Sequence, residues 1–107
     1  MAHSKVYSTW QSGEGVKLII GQHVEKERFR EHGVIVLNEV IHIPQGANDA
    51  NCMRDRLHEA RSRLFEKAKE YASNQDIPCI DRIRIESHSI SANLIELVFY
   101  GNAMVYN

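Results

Sequence analysis

Along residues 49–73 the apolar side chains recur in steps of three and four, at Met53, Leu57, Ala60, Leu64 and Ala68, then Tyr71 and Ala72. That spacing gathers them on one face of an α-helix. No glycine or proline interrupts the run. Asn48 or Asp49 can accept a hydrogen bond from an amide at its start, and Asp76-Ile77-Pro78 marks its stop, because a residue before proline avoids helical angles. At about 1.5 Å per residue the helix is roughly 35 Å long. One face of such a rod must lie across a sheet in a domain of this size.

The flanking segments supply the sheet. Val16-Lys17-Leu18-Ile19-Ile20 is read as a strand after a turn at Gly13 and Gly15. Residues 25–32 form a charged connector, with one or two helical turns as an option. Val34-Ile35-Val36-Leu37 and Val40-Ile41-His42-Ile43 are strand-prone, and Pro44 and Gly46 end the run. Beyond the helix, Ile83 and Ile85 alternate with Arg82, Arg84 and Glu86, the period of a half-buried strand. Residues 87–93 read as a polar turn, and Ile95, Leu97 and Phe99 as the return strand, interrupted by a bulge at Gly101-Asn102. The expected fold is α+β: a small mixed or antiparallel sheet, one long amphipathic helix on one face, and the order strand(s)-helix-strand-strand. The chain of 107 residues is expected to form a single domain, 1–107, with residues 1–15 as an arm or edge strand.

Composition narrows the function. With 13 basic against 14 acidic residues the net charge is -1, which argues against general nucleic-acid binding, where phosphate neutralisation dominates. No run approaches the ~18 apolar residues of a membrane span, and the polar residues 1–10 do not form a secretory signal. Two widely separated cysteines make no disulfide framework, so a reducing, cytoplasmic setting is expected.

Three short stretches resemble the YbjQ-like family of small, mostly uncharacterised proteins, some labelled heavy-metal-binding. They are Gly33-Val34-Ile35-Val36-Leu37-Asn38-Glu39-Val40-Ile41, then Leu57-His58-Glu59-Ala60-Arg61, and finally Tyr100-Gly101-Asn102-Ala103-Met104-Val105. The resemblance covers about residues 33–106. It implies an α+β fold and a ring-like homo-oligomer, and it implies no reaction. The glycine-rich loop that precedes the family's helix is absent, since Gly46 runs directly into Ala47-Asn48-Asp49, and Asn102 stands in place of the family's threonine.

Four chemistries compete for the remaining residues. Zinc or copper would take some of His42, His58, His88, Cys52 and Cys79, whose imidazoles and thiolates are natural ligands. These residues have no local ligand spacing, so such a site has to be assembled from separate elements or across subunits, and ordinary surface roles are the simpler reading. A small anion would suit Arg54 and Arg61, seven apart on one side of the helix, with Arg63 on a neighbouring stripe beside Arg56 and Lys67. Asp55, Glu59, Glu66 and Glu70 can instead make these a solvated, ion-paired face. Catalysis has little to stand on. Ser87-His88-Ser89 places neighbours on opposite strand faces, Cys52 at the helix start has no assignable base, and Gly13-Glu14-Gly15 precedes a strand where a dinucleotide fingerprint precedes a helix.

Association is the fourth. Val34 to Leu37 is apolar on both faces, while one helix covers only one face of a sheet. A second copy is the economical cover, with Tyr7, Trp10, Tyr100, Met104 and Tyr106 as interface residues; the alternative is the N-terminal arm folded over that face. The leading expectation is a non-enzymatic, homo-oligomeric module that binds a small, anionic ligand or a partner. A metal-binding protein comes next, and an enzyme with a composite intersubunit site last.

Overall fold

A computed structural model describes residues 15–25, 27–43 and 50–107. Its elements run β1 (Lys17–Ile20), β2 (Phe29–His42), α1 (Ala50–Asn74), β3 (Cys79–Ser91) and β4 (Leu94–Tyr106). The strands form one mixed sheet in the order β1-β3-β4-β2. β1 runs parallel to β3, and β4 lies antiparallel to both β3 and β2. The α+β class and the strand-helix-strand-strand order therefore hold. β2 and β3 run in the same direction on either side of β4, so α1 is the crossover that joins them.

The helix covers one face. Ala60, Leu64, Phe65, Ala68 and Ala72 meet Ile35, Ile41, Ile80, Ile83, Leu97 and Phe99 in the main core. Phe65 meets Phe99 edge-on, with ring centroids 5.8 Å apart. Small alanines along the buried stripe let the helix sit close to the strands. Met53 and Tyr71, expected on that stripe, are exposed instead, because they fall at its margins. The helix ends in a tight reversal: the Ile77 amide donates to the Ala72 carbonyl at 2.8 Å and the Asp76 amide to the Ser73 carbonyl at 3.3 Å. Asp76 takes the left-handed conformation this cap requires, φ 57°, and Ile77 is buried beyond it.

Several local readings change. The runs at 34–37 and 40–42 belong to one strand of 14 residues, which ends at His42, one residue short of the expected run. The connector holds a turn, with the Phe29 amide donating to the Glu25 carbonyl, and β2 begins directly after it. The polar stretch 87–93 is mostly strand: β3 continues to Ser91 and the turn is confined to residues 92 and 93. β4 runs unbroken through Gly101 and Asn102. The irregularity lies opposite, between Asp81 and Arg84 of β3, where Arg82 adopts φ 52°. The proposed helix caps at 48 and 49, the residues 44 and 46 read as a strand stop, and the arm 1–14 with Tyr7 and Trp10 lie outside the described residues.

Among the described residues, the other face of the sheet is covered at one end. There the connector seats Val24 beside Ile19, Cys79 and Met104, with Phe29 against them. Asp81 fastens it. This carboxylate is fully buried, accepts from the Val24 amide at 3.0 Å, and lies 3.2 Å from Arg82 Nε. Arg82 also reaches Glu31 at 3.0 Å, and the Asn102 side-chain oxygen accepts from the guanidinium. A buried carboxylate is costly unless its oxygens are satisfied, and both are here.

Candidate functional site

Among the described residues, no element packs over most of the sheet face opposite the helix, and strand register defines what it presents. Val34, Val36, Asn38 and Val40 of β2 stand opposite Asn102, Tyr100, Val98 and Glu96 of β4. Across β4, Tyr100, Val98 and Glu96 stand opposite Arg84, Glu86 and His88 of β3. Residues directly opposite share a face, so three columns line up: mainly valine on β2, mixed on β4, charged on β3. Val34, Val36 and Val40 are 63%, 56% and 52% exposed, and Ile90 near the hairpin tip is 55% exposed. Within Val34–Leu37, Ile35 and Leu37 turn toward the helix, and Val34 and Val36 turn away from it.

The polar side chains on this face hold one another in place. Arg84 stacks on the Tyr100 ring at 4.4 Å and pairs with Glu86 at 3.2 Å. His88 Nε2 lies 3.6 Å from Glu86 on its other side. Asn38 donates to Glu96 at 2.9 Å. Stacking orders the arginine over an aromatic while leaving its outer edge exposed.

The expected anion residues part company. Arg63 donates to Glu39 of β2, and Lys67 lies 3.2 Å from the same carboxylate. Burial pushes the Glu39 carboxyl up, but its bonds to Arg63 and Lys67 outweigh this and hold it below the usual carboxylate range. Arg56 reaches the His42 carbonyl at 3.5 Å. The Arg56–Arg63–Lys67 stripe is therefore a strap tying the helix to β2. Arg54 and Arg61 are exposed and remain together on another side of the helix, since residues two apart, such as Arg61 and Arg63, point some ~200° apart. No sequence spacing could reveal the Glu39 strap, because it joins residues that only the fold brings together.

The expected metal ligands are dispersed. His42 ends β2, His58 lies on the exposed helix surface, Cys52 is half-buried in the first turns of α1, and His88 belongs to the open sheet face. Cys79 sits in the small core under the connector, where burial, and secondarily Asp81, push its thiol up to about 12 against the pull of Lys17. Among the described residues no three His, Cys, Asp or Glu side chains come together as a metal site. Of the expected interface residues, Tyr100 lies on the open face, Met104 is buried, and Tyr106 stacks on Phe29 at 4.9 Å.

Together these features define a small α+β domain with one clad and one largely open sheet face. The same fold occurs in a protein of unknown function from Pediococcus pentosaceus ATCC 25745, described as a member of the DUF74 family. It matches with a TM-score of 0.63 and 12% identity over 83% of this chain and 96% of that one. DUF74 is related to the YbjQ-like proteins, so the resemblance read from the sequence has a counterpart at the level of the fold. No family model matches the chain, and no curated protein does. Among the described residues no helix is long and apolar enough to cross a membrane.

Proposed function

We propose that this chain is a non-enzymatic, homo-oligomeric binding module, and that its copies meet on the open face of the sheet. The observation behind this is the valine column of β2, more than half exposed on an otherwise well-packed sheet. An exposed valine column, broken at Asn38, beside ordered charged residues has the make-up of an interface, with an apolar centre and a polar rim. Catalysis fits poorly: the His88–Glu86 pair stands on an open surface, without walls to exclude water or a nucleophile beside it. Arg54 and Arg61 are the residues we assign to a small anion, recruited at the outer surface of the assembly.

Native mass spectrometry and sedimentation equilibrium of the untagged full-length chain test the assembly. A discrete oligomer is expected, and Val36→Lys should reduce it to folded monomer. A wild-type chain that stays monomeric at tens of micromolar refutes the reading. Calorimetric titration with inorganic phosphate tests the anion part: Arg54→Ala/Arg61→Ala should lose the binding, and an unchanged affinity removes those residues from the proposal.

A further inference from the structure

The two flanks of the helix meet different surroundings. Ala60, Leu64 and Ala68 form its buried stripe. Arg56, Arg63 and Lys67 border that stripe on the side of β2, where they reach the His42 carbonyl and Glu39. At about 100° per residue, Arg54, His58 and Arg61 border it on the opposite side, toward β3, with His58 between the two arginines. Phe65 and Ala72 continue the same border and are buried, in a core that includes Leu18 of β1. Arg54, His58 and Arg61 are exposed. The difference is β1. It pairs with β3 only as far as Ile83, and the chain then turns to the other face of the sheet, where Val24 is seated. Among the described residues no strand accompanies the outer edge of β3 beyond that point.

Register places what lies beside this flank. Arg63 meets Glu39, which stands in one row with Leu97 and Ser87. Arg56 meets His42, which stands in one row with Leu94 and Ser91. Between residues 56 and 63 the helix thus passes from the Ser91 row to the Ser87 row, and His58 and Arg61 fall in that interval. Ser87 and Ser89 stand opposite Leu97 and Ile95, which belong to the core under the helix, so both hydroxyls turn to the helix side. Both serines are exposed. The result is a notch with a cationic helix flank as its wall and two hydroxyls as its floor. Among the described residues β3 and β4 bring no carboxylate to it, because Glu86 and Glu96 alternate to the other face, where Arg84, His88 and Asn38 engage them. Glu39 is held by Arg63 and Lys67 beyond the buried stripe. Asp55 and Glu59 follow Arg54 and His58 by one residue, which turns them about 100° outward.

We infer that this notch binds a phosphate group, with Arg54, His58 and Arg61 donating from the helix and the Ser87 and Ser89 hydroxyls from the strand. Donors converging from two sides match a tetrahedral dianion that carries oxygens on every side. The inference rests on the proposal that Arg54 and Arg61 take a small anion; it names that anion and adds β3 as the second half of the site.

Calorimetric titration of the full-length chain with inorganic phosphate and with phenyl phosphate tests it, comparing wild type with Ser87→Glu, His88→Glu and Ser87→Ala/Ser89→Ala. Ser87→Glu puts a carboxylate on the floor of the notch and should raise the dissociation constant at least about tenfold. His88→Glu adds the same charge one residue along, on the opposite face of the sheet, and should change it by less than about threefold. Removing both hydroxyls should weaken binding about three- to tenfold. Circular dichroism melts check that each variant is folded. Tighter binding of phenyl phosphate than of inorganic phosphate identifies an ester as the form held, and the reverse identifies the free ion. If wild type binds and Arg54→Ala/Arg61→Ala loses it while Ser87→Glu does not weaken it, the notch is refuted and the arginine pair stands. If Ser87→Glu and His88→Glu weaken binding equally, the effect is one of net charge and the notch is refuted likewise. If wild type takes up neither phosphate, both proposals fall.

Discussion

Gly101 offers the sharpest test of how this core is packed. It lies in mid-strand on β4, opposite Ile35, in a conformation open to any residue. A methyl group placed there would stand 2.5 Å from Ile80 Cγ2, 3.2 Å from Phe99 Cε1 and 3.3 Å from Ile83 Cγ1. Ordinary carbon contacts are about 3.5–4.0 Å, so the nearest neighbour would have to retreat by about 1 Å. Ile80, Ile83 and Phe99 are all essentially inaccessible to solvent and have nowhere to go without moving the helix. Overpacking of this kind costs about 1–3 kcal/mol. Replacing a strand glycine with alanine returns about 0.5–1 kcal/mol of chain entropy. The net expectation for Gly101→Ala is a loss of about 1–2 kcal/mol, or about 5–15 °C in Tm at the usual 4–8 °C per kcal/mol for a domain near this size. Gly33→Ala is the internal control. It removes the same chain entropy, but its methyl meets nothing within 4 Å, so it should be neutral or stabilising by up to about 1 kcal/mol. Urea unfolding at matched chain concentration, with unchanged slope, measures both. A Gly101→Ala protein as stable as wild type would refute the argument that close approach at this point excludes a side chain.

Glu39→Gln should cost about 0.5–1 kcal/mol near neutral pH, since Arg63 and Lys67 are half exposed. Because the folded Glu39 carboxyl is held below its unfolded value of about 4.3, its contribution is present above that pH and is lost as pH falls through the folded value, so the gap between the two proteins should narrow as the pH is lowered into the acid range; a gap independent of pH would rule out the strap. Asp76→Gly should stabilise by about 0.5–1 kcal/mol by relieving a left-handed backbone at the helix cap, read as a Tm a few degrees higher. With Ellman's reagent the native protein should show Cys52 reacting quickly and Cys79 only after urea, because Cys79 is buried and its thiol is pushed up to about 12; two fast thiols would mean that the connector opens readily.

The helix was legible because its stripe of Leu57, Ala60, Leu64 and Ala68 repeats over many turns, and a long period leaves little ambiguity. β3 was legible only where it lies under the helix. From Ser87 to Ser91 the strand is exposed on both faces, so no hydrophobic alternation remains, and backbone pairing with β4 alone holds it extended. β2 looked like two segments because Asn38 and Glu39 interrupt the apolar run. One of them bonds Glu96 across the sheet and the other receives the helix strap, roles that exist only once the chain is folded. The bulge was expected at the glycine and fell instead at Arg82, where the ties to Asp81, Glu31 and Asn102 stabilise a backbone angle that arginine seldom takes. The open face was visible in the sequence as a surplus of apolar residues around Val34–Leu37. Which of them the helix covers depends on the pleat, and reading that needs the register.

The place of β4 in the sheet bears on how the chain is made. Of the four strands, β4 comes last in chain order and yet is an inner one, bridging β2 and β3, which make no pairing with each other. Until residues 94–106 emerge, the nascent chain has a helix with nothing complete to cover and two long strands without their common partner. A chain that stops short of β4 therefore keeps no smaller version of the fold. Closure must wait for contacts that span most of the sequence, which slows folding and prolongs the time for which strand edges and the valine column lie open to other chains.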